Sequence, residues 1–192
     1  MTTPITNAKA ALREQIRARL KAIPTTMRTA AAAQLCARLQ ENKAWHKAHS
    51  VLFFAPMADE PDVWPLLAEA LQAGKLVALP RFDPEKKNYA ACQIRSLAED
   101  VVSGQFGIRE PHNSCPALPL NRLDLILVPG IAFDLHGRRL GRGKGFYDQL
   151  LADVRGTTCG VAFDEQIVAA IPLEPHDIPL NCILTPTRWI KP

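Results

Sequence analysis

Nothing in this chain approaches the run of about 18 apolar residues that a membrane-spanning helix needs, and the first 22 residues are polar, without the apolar core of a secretion signal. The cysteines exclude more. Cys36, Cys92, Cys115, Cys159 and Cys182 are odd in number and contain no Cys-x-x-Cys pair. That argues against a disulfide framework and a thiolate zinc site, and fits thiols kept reduced in the cytoplasm. Histidine is equally uninformative for metals. His46 and His49 alone stand close together, flanking a helix end, where a structural role is expected. Aromatics make up only 6% of the residues and the net charge is a mild +4. A nucleic-acid protein would instead show a broad basic face interleaved with aromatics. The expectations are a soluble cytoplasmic protein, monomeric, with no nucleic-acid or membrane partner.

What is present is a core and two basic clusters. A chain of 192 residues with 47% hydrophobic content can bury one sizeable core, so a single domain over residues 1–192 is expected. The basic residues gather in the N-terminal helix and in a glycine segment, an arrangement suited to a small polyanion. Residues 130–148 hold five of the ten glycines and carry Arg138, Arg139, Arg142 and Lys144 among them. The segment follows the run Leu123 to Val128, apolar except for Asp124, and leads into a helical stretch from Phe146 to Val154. Glycines let the backbone approach a ligand closely, free N–H groups at a helix start face an anion, and cations neutralise it. The segment points to a nucleotide or other phosphorylated ligand; the alternative is a flexible surface turn made basic for solubility. The segment is not a Walker A motif, because Arg138 and Gly145 stand where that motif needs Gly and Ser or Thr. Nor is it a dinucleotide fingerprint, since Gly141, Gly143 and Gly145 alternate as GxGxG.

Helical periodicity runs over Asn7–Ala22, with Leu12, Ile16 and Leu20 four apart, and over Arg28–Gln40. Strands are expected at His49–Ala55, Lys75–Leu79, Ala90–Ile94, Leu123–Val128, Thr158–Phe163 and Ile183–Thr185, with a helix at Pro61–Ala73. Val101–Leu120 reads as an ordered loop. Strands alternating with helices predict a three-layer α/β/α fold around a mostly parallel sheet. Ligands in such sheets sit beyond the carboxyl ends of the strands. Lys9, Arg13, Arg17 and Lys21 recur every four residues on one helix face. Asp148, in the first turn after the glycine loop, either complements the helix dipole or holds Mg²⁺. Asp177, in Pro-His-Asp-Ile-Pro, is a turn residue or a second metal ligand. Glu60 either accepts N–H bonds from a heterocycle or starts a helix beside Pro61.

In order along the chain, these features resemble the 5-formyltetrahydrofolate cyclo-ligase (methenyltetrahydrofolate synthetase) family. The matching pieces are Lys9-x-x-x-Arg13, Phe54 to Glu60, Gly-Lys-x-Val-x-Leu-Pro (Gly74 to Pro80) and Phe-Gly-Ile-x-Glu-Pro (Phe106 to Pro111). The most specific piece is Val-Pro-Gly-x-Ala-Phe-Asp followed by Gly-x-Arg-Leu-Gly-x-Gly-Lys-Gly-x-Tyr-Asp, from Val128 to Asp148, and the Asp177 to Pro186 tail also agrees. The resemblance implies ATP- and Mg²⁺-dependent cyclisation of 5-formyltetrahydrofolate to 5,10-methenyltetrahydrofolate through an imidate phosphate, releasing ADP and phosphate. It puts ATP against Lys9, Arg13 and the run Arg139, Leu140, Gly141, Arg142, Gly143, Lys144, Gly145, Phe146 and Tyr147. It puts the folate against Phe54 and Glu60, the metal against Asp148 and Asp177, and the chemistry on Arg142, Lys144 and Tyr147. Phe54 and Phe146 stand where the family often has Tyr, which keeps an aromatic surface and loses a hydroxyl. The stretch Asp83 to Ser96 matches weakly and implies no contacts. Two other readings compete: a sugar-phosphate isomerase or coenzyme A transferase on a related fold, needing no ATP, and a module gripping RNA or a protein through its basic clusters.

Overall fold

The computed structural model describes residues 4–104, 107–174 and 177–192; Phe106 of the Phe-Gly-Ile motif and His176 of Pro-His-Asp lie outside them. Three helices come first: α1 (Pro4–Ala22), α2 (Thr25–Gln40) and α3 (Lys43–Lys47). Then follow β1 (Ser50–Leu52), α4 (Trp64–Gln72), β2 (Leu76–Asp83), β3 (Asn88–Ile94), β4 (Val101–Ser103) and β5 (Arg109–Pro111). The second half holds β6 (Leu125–Val128), β7 (Ala132–Asp134), β8 (Arg139–Leu140), α5 (Phe146–Ala152), β9 (Thr157–Val161), β10 (Ile167–Val168), β11 (Cys182–Leu184) and β12 (Trp189–Ile190).

Seven strands form one sheet in the order β12-β11-β9-β6-β1-β2-β3. The inner five pair in parallel, and an antiparallel strand closes each edge. The period-two alternation of a strand decides which side chain enters which layer. Val51, Phe53, Val77, Leu79, Leu125 and Leu127 face the cluster built with Leu35 and Leu39 of α2, Trp45 of α3, and Leu66 and Leu67 of α4. Their neighbours Leu52, Ala78, Ile126 and Val128 face the other cluster, with Leu150 and Leu151 of α5. The two clusters are the two sides of one sheet, which makes the three-layer α/β/α arrangement. Asp124, the polar break before β6, accepts N–H bonds from His49 at 2.8 Å and Ser50 at 2.9 Å, fastening β6 to the start of β1.

Several boundaries differ from expectation. The Pro61–Ala73 helix begins only at Trp64, and the first strand ends at Leu52. Ala90–Ile94 belongs to a longer strand, Asn88–Ile94, paired in register with β2. Val101–Leu120 contains the antiparallel pair β4–β5, whose strands are too short to show alternation. The largest departure concerns the glycine segment, which is not a simple strand-loop-helix. Between β6 and α5 the chain makes the antiparallel hairpin β7–β8, extended by β10.

Asp134 organises that hairpin. It is wholly buried; its Oδ1 accepts the N–H groups of His136 at 2.9 Å and Arg138 at 3.1 Å, and its Oδ2 accepts that of Ile171 at 3.1 Å. Bonds of this kind to an ionised acceptor contribute roughly 1.5–3 kcal/mol each where a group is buried. Asp134→Ala is therefore expected to lower unfolding free energy by about 3 kcal/mol, read by urea denaturation; a loss within about 0.5 kcal/mol, the range of ordinary surface substitutions, would show the hairpin holding without it.

Candidate active site at the carboxyl ends of the strands

The chain leaves β1 through α4 toward β2 and leaves β6 through α5 toward β9, so consecutive crossovers move apart from the β1–β6 junction. Such a switch point opens a crevice outside the strands' carboxyl ends. A cavity of about 590 Å³ lies there, walled by Phe54 and Ala55 beyond β1 and by Pro129 and Gly130 beyond β6. It brings together Lys9, Arg13, Phe54, Glu60, the whole run Arg139 to Asp148, and Asp177. These include every site residue expected from the sequence. The four-residue basic stripe of α1, however, divides: Lys9 and Arg13 reach the cavity, while Arg17 and Lys21 are exposed and do not line it. A helix face of fixed spacing cannot aim four side chains at one compact cavity.

Each basic group is tied to a particular partner. Lys9 is 5% exposed, and its Nζ lies 2.7 Å from both Glu174 Oε2 and Asp177 Oδ2. Burial opposes its charge, but the bonds to Asp177 and Glu174 outweigh that and raise its pKa. Arg13 Nε donates to the Gly141 carbonyl at 2.8 Å, so α1 holds the glycine loop directly. Arg139, 8% exposed, donates to Asp148 Oδ1 at 2.6 Å and lies over the Tyr147 ring at 5.7 Å. Arg142 reaches across the cavity: its Nη2 lies 2.5 Å from Asp59 Oδ1 and 2.9 Å from Glu60 Oε1. Burial pushes the Glu60 carboxyl above its usual range and Arg142 pulls it back.

The alternating glycines have separate reasons. Gly143 at φ +99° and Gly145 at φ +70° take a left-handed backbone that other residues rarely adopt. A Cβ on Gly141 would instead lie 2.7 Å from Arg139 Nη1.

One wall is aromatic. Tyr89, Phe146 and Tyr147 line it, Tyr89 lying 6.2 Å from Tyr147, and Phe82 backs it, meeting Tyr89 and Phe146 edge-on with centroids 5.7 and 5.4 Å apart. Burial, with the Glu60 charge adding, raises the Tyr147 phenol far above its ordinary value. Tyr147 therefore keeps its proton at neutral pH. Tyr89, Glu110, Glu174 and Asp59 were missed from sequence. Tyr89 falls in the weakly matching stretch, and its signal was being one of only two tyrosines. Glu110 stood inside the quoted Phe106 to Pro111 motif.

For a metal, no group of three His, Cys, Asp or Glu side chains gathers among the described residues. Asp148 and Asp177 each offer hard oxygen but are each paired with a cation. Carboxylates supplied singly fit Mg²⁺ that arrives on phosphate oxygens with its own water, and not a cation caged by protein alone.

The model of the 5-formyltetrahydrofolate cyclo-ligase family matches residues 5–186. The chain belongs to that family. A 5-formyltetrahydrofolate cyclo-ligase of Escherichia coli (strain K12) is 33% identical over 177 residues, covering 90% of this chain and 97% of the relative. One from Mus musculus is 28% identical over 191 residues, 94% of each chain. The NMR structure of 5,10-methenyltetrahydrofolate synthetase from Aquifex aeolicus superposes with a TM-score of 0.87 at 30% identity, covering 95% of this chain and 92% of that one. As a cyclo-ligase family member the protein is an enzyme, and it shares the mixed α/β fold of that structure.

Burial of both phenols in the cyclo-ligase cavity has a direct consequence, since Tyr89 is also raised, by burial and the nearby Glu110 charge. Spectrophotometric titration of the folded protein should show both phenols ionising at higher pH than free tyrosine, which titrates at about pH 10. Denaturant should return both to about pH 10. The unfolded chain ionises first, so the phenols' contribution to stability is intact below about pH 10 and is lost above it. Two tyrosinates formed below that pH in folded protein would contradict the burial.

Proposed function

We propose that the protein closes 5-formyltetrahydrofolate to 5,10-methenyltetrahydrofolate while converting ATP to ADP and phosphate, with Mg²⁺ required. The observation that carries this reading is a single cavity with the basic glycine loop on one side and the buried carboxylate of Glu60 on the other. A triphosphate suits the first and a heterocycle bearing N–H donors suits the second. The 5-formyltetrahydrofolate cyclo-ligase and methenyltetrahydrofolate synthetase names of the relatives support the folate part of the reading.

A formamide carbonyl is a poor electrophile because its nitrogen shares its lone pair with the carbon. In the proposed sequence the formyl oxygen attacks the γ-phosphorus in line, and the bond to ADP breaks. The resulting imidate phosphate has a good leaving group on carbon. The neighbouring N10 adds there, loses its proton, and phosphate departs with the C–O electron pair. Such transfer asks the protein for positioning and charge stabilisation. Lys144, Arg142 and the backbone N–H groups of the glycine loop supply these, with Lys9 and Arg13 beside the nucleotide. Glu60 accepts from the pterin, Phe54 packs on it, and the protonated Tyr147 hydroxyl orients the formyl oxygen. Asp148 and Asp177 would hold Mg²⁺, which when bound neutralises phosphate charge.

The first test is absorbance in the methenyl-folate band with 5-formyltetrahydrofolate and MgATP. A rise that disappears when ATP or Mg²⁺ is left out is expected; no rise from folded protein rejects the proposal. Lys144→Ala should cost at least about 10²-fold in turnover, the scale of a lost transition-state charge contact; a loss below about tenfold assigns that contact to Arg142. Tyr147→Phe should slow turnover, and an unchanged kcat would remove the hydroxyl from the mechanism.

A further inference from the structure

Glu60 has two claims on one oxygen. Its Oε2 accepts the Met57 N–H at 3.0 Å, and its Oε1 takes both Nη2 and Nε of Arg142, at 2.9 and 3.2 Å. An ionised carboxylate offers about four lone-pair sites; Arg142 takes two on Oε1 and Met57 one on Oε2, so a heterocycle that donates one N–H to each oxygen competes with Arg142 for Oε1. Asp59 meets the same guanidinium from the adjacent position, 2.5 Å from Nη2, and both its side chain and that of Arg142 are about one-third exposed. An arginine whose carboxylate partner is withdrawn inside a cavity suffers the cost of an unpaired charge unless a second carboxylate holds it.

We propose that Asp59 is a positioning residue, the anchor that keeps Arg142 in place when folate takes Glu60, so that Asp59 favours folate binding only through Arg142. The inference rests on the folate reading of the Glu60 side. In the free protein Arg142 spans both carboxylates. With Glu60 engaged by the pterin, Asp59 retains one edge of the guanidinium and leaves the other facing the phosphate side of the cavity. Asp59 itself touches neither substrate in this scheme, and it does not line the cavity.

Calorimetric titration with 5-formyltetrahydrofolate, ATP absent, tests this on the wild type, Asp59→Asn, Arg142→Ala and the double variant. Asp59→Asn is expected to weaken folate binding about twofold to fivefold, the upper part of the range for a partly exposed charge pair. In the Arg142→Ala background the same substitution should change affinity less than about twofold, because nothing remains to anchor. Equal losses in both backgrounds would overturn the inference, since they would mean that Asp59 merely shapes the loop. So would unchanged or tighter binding by Asp59→Asn alone. Wild-type protein that binds no folate would overturn the substrate reading and the anchor with it, a result distinct from either of the others.

Discussion

With backbone N–H groups from His136, Arg138 and Ile171 on its two oxygens, the buried carboxylate of Asp134 holds the hairpin on which the basic side of the cavity depends. It closes the turn of the β7–β8 hairpin, and β8 delivers Arg139 and the glycine loop. Through Ile171 it fixes the start of the segment that carries Glu174 and Asp177 three to six residues later. Ile131, Ala132 and Leu140 of the hairpin region then form the surface on which Ile16 and Leu20 of α1 are buried. The placement of Lys9 and Arg13 thus depends on apolar packing against a hairpin that would not hold its shape with bare N–H groups at its turn. An ionised acceptor is well suited there, because it satisfies several donors at once without needing a donor partner of its own.

The cavity is not a basin of unpaired positive charge. Among the described residues, six cationic and five carboxylate side chains line it, so their formal charges are close to balanced. Lys9 sits between Glu174 and Asp177, Arg139 on Asp148, and Arg142 on Glu60 and the nearby Asp59. Buried cations without such partners would destabilise the free protein by several kcal/mol each. An entering polyanion exchanges one set of partners for another and does not fall into an empty field. Selectivity then comes from geometry: which cation can turn toward phosphate while its carboxylate finds a different donor. Glu60 illustrates that exchange, since Arg142 occupies its Oε1 twice while its Oε2 accepts the Met57 N–H.

The sheet was legible because strands such as Leu125–Val128 and Leu76–Leu79 are apolar runs bounded by turn residues, and helices such as α1 repeat Leu12, Ile16 and Leu20. The glycine loop was legible because its composition is rare and its purpose local. The β7–β8 hairpin was not, since two- and three-residue strands carry no periodicity. Nor were the charge pairings: Lys9 meets Asp177 across 168 positions and Arg142 meets Asp59 across 83. Nothing in the neighbourhood of either residue encodes its partner. The stripe Lys9, Arg13, Arg17 and Lys21 looked uniform for the same reason, although only its first two members face the cavity.

A last consideration is what the cavity wall leaves out. Among the described residues that line it there is no Ser, Thr, Cys or His. The five cysteines are all buried, and burial, with the neighbouring Asp62 and Glu69 charges, pushes the Cys36 thiol up to about 11, far from a thiolate at neutral pH. Lys9, Asp148 and Asp177 are engaged in ion pairs, and Glu60 is held by Arg142, so none of these stands as a bare nucleophile or general base. Tyr147 keeps its proton. A wall so made is poorly equipped to form a covalent intermediate on the protein and well equipped to hold two reactants against each other in a fixed field. For chemistry in which one substrate's oxygen attacks the other's phosphorus, that is sufficient, because the attacking and leaving groups both belong to the substrates and the barrier falls chiefly through alignment and neutralised charge.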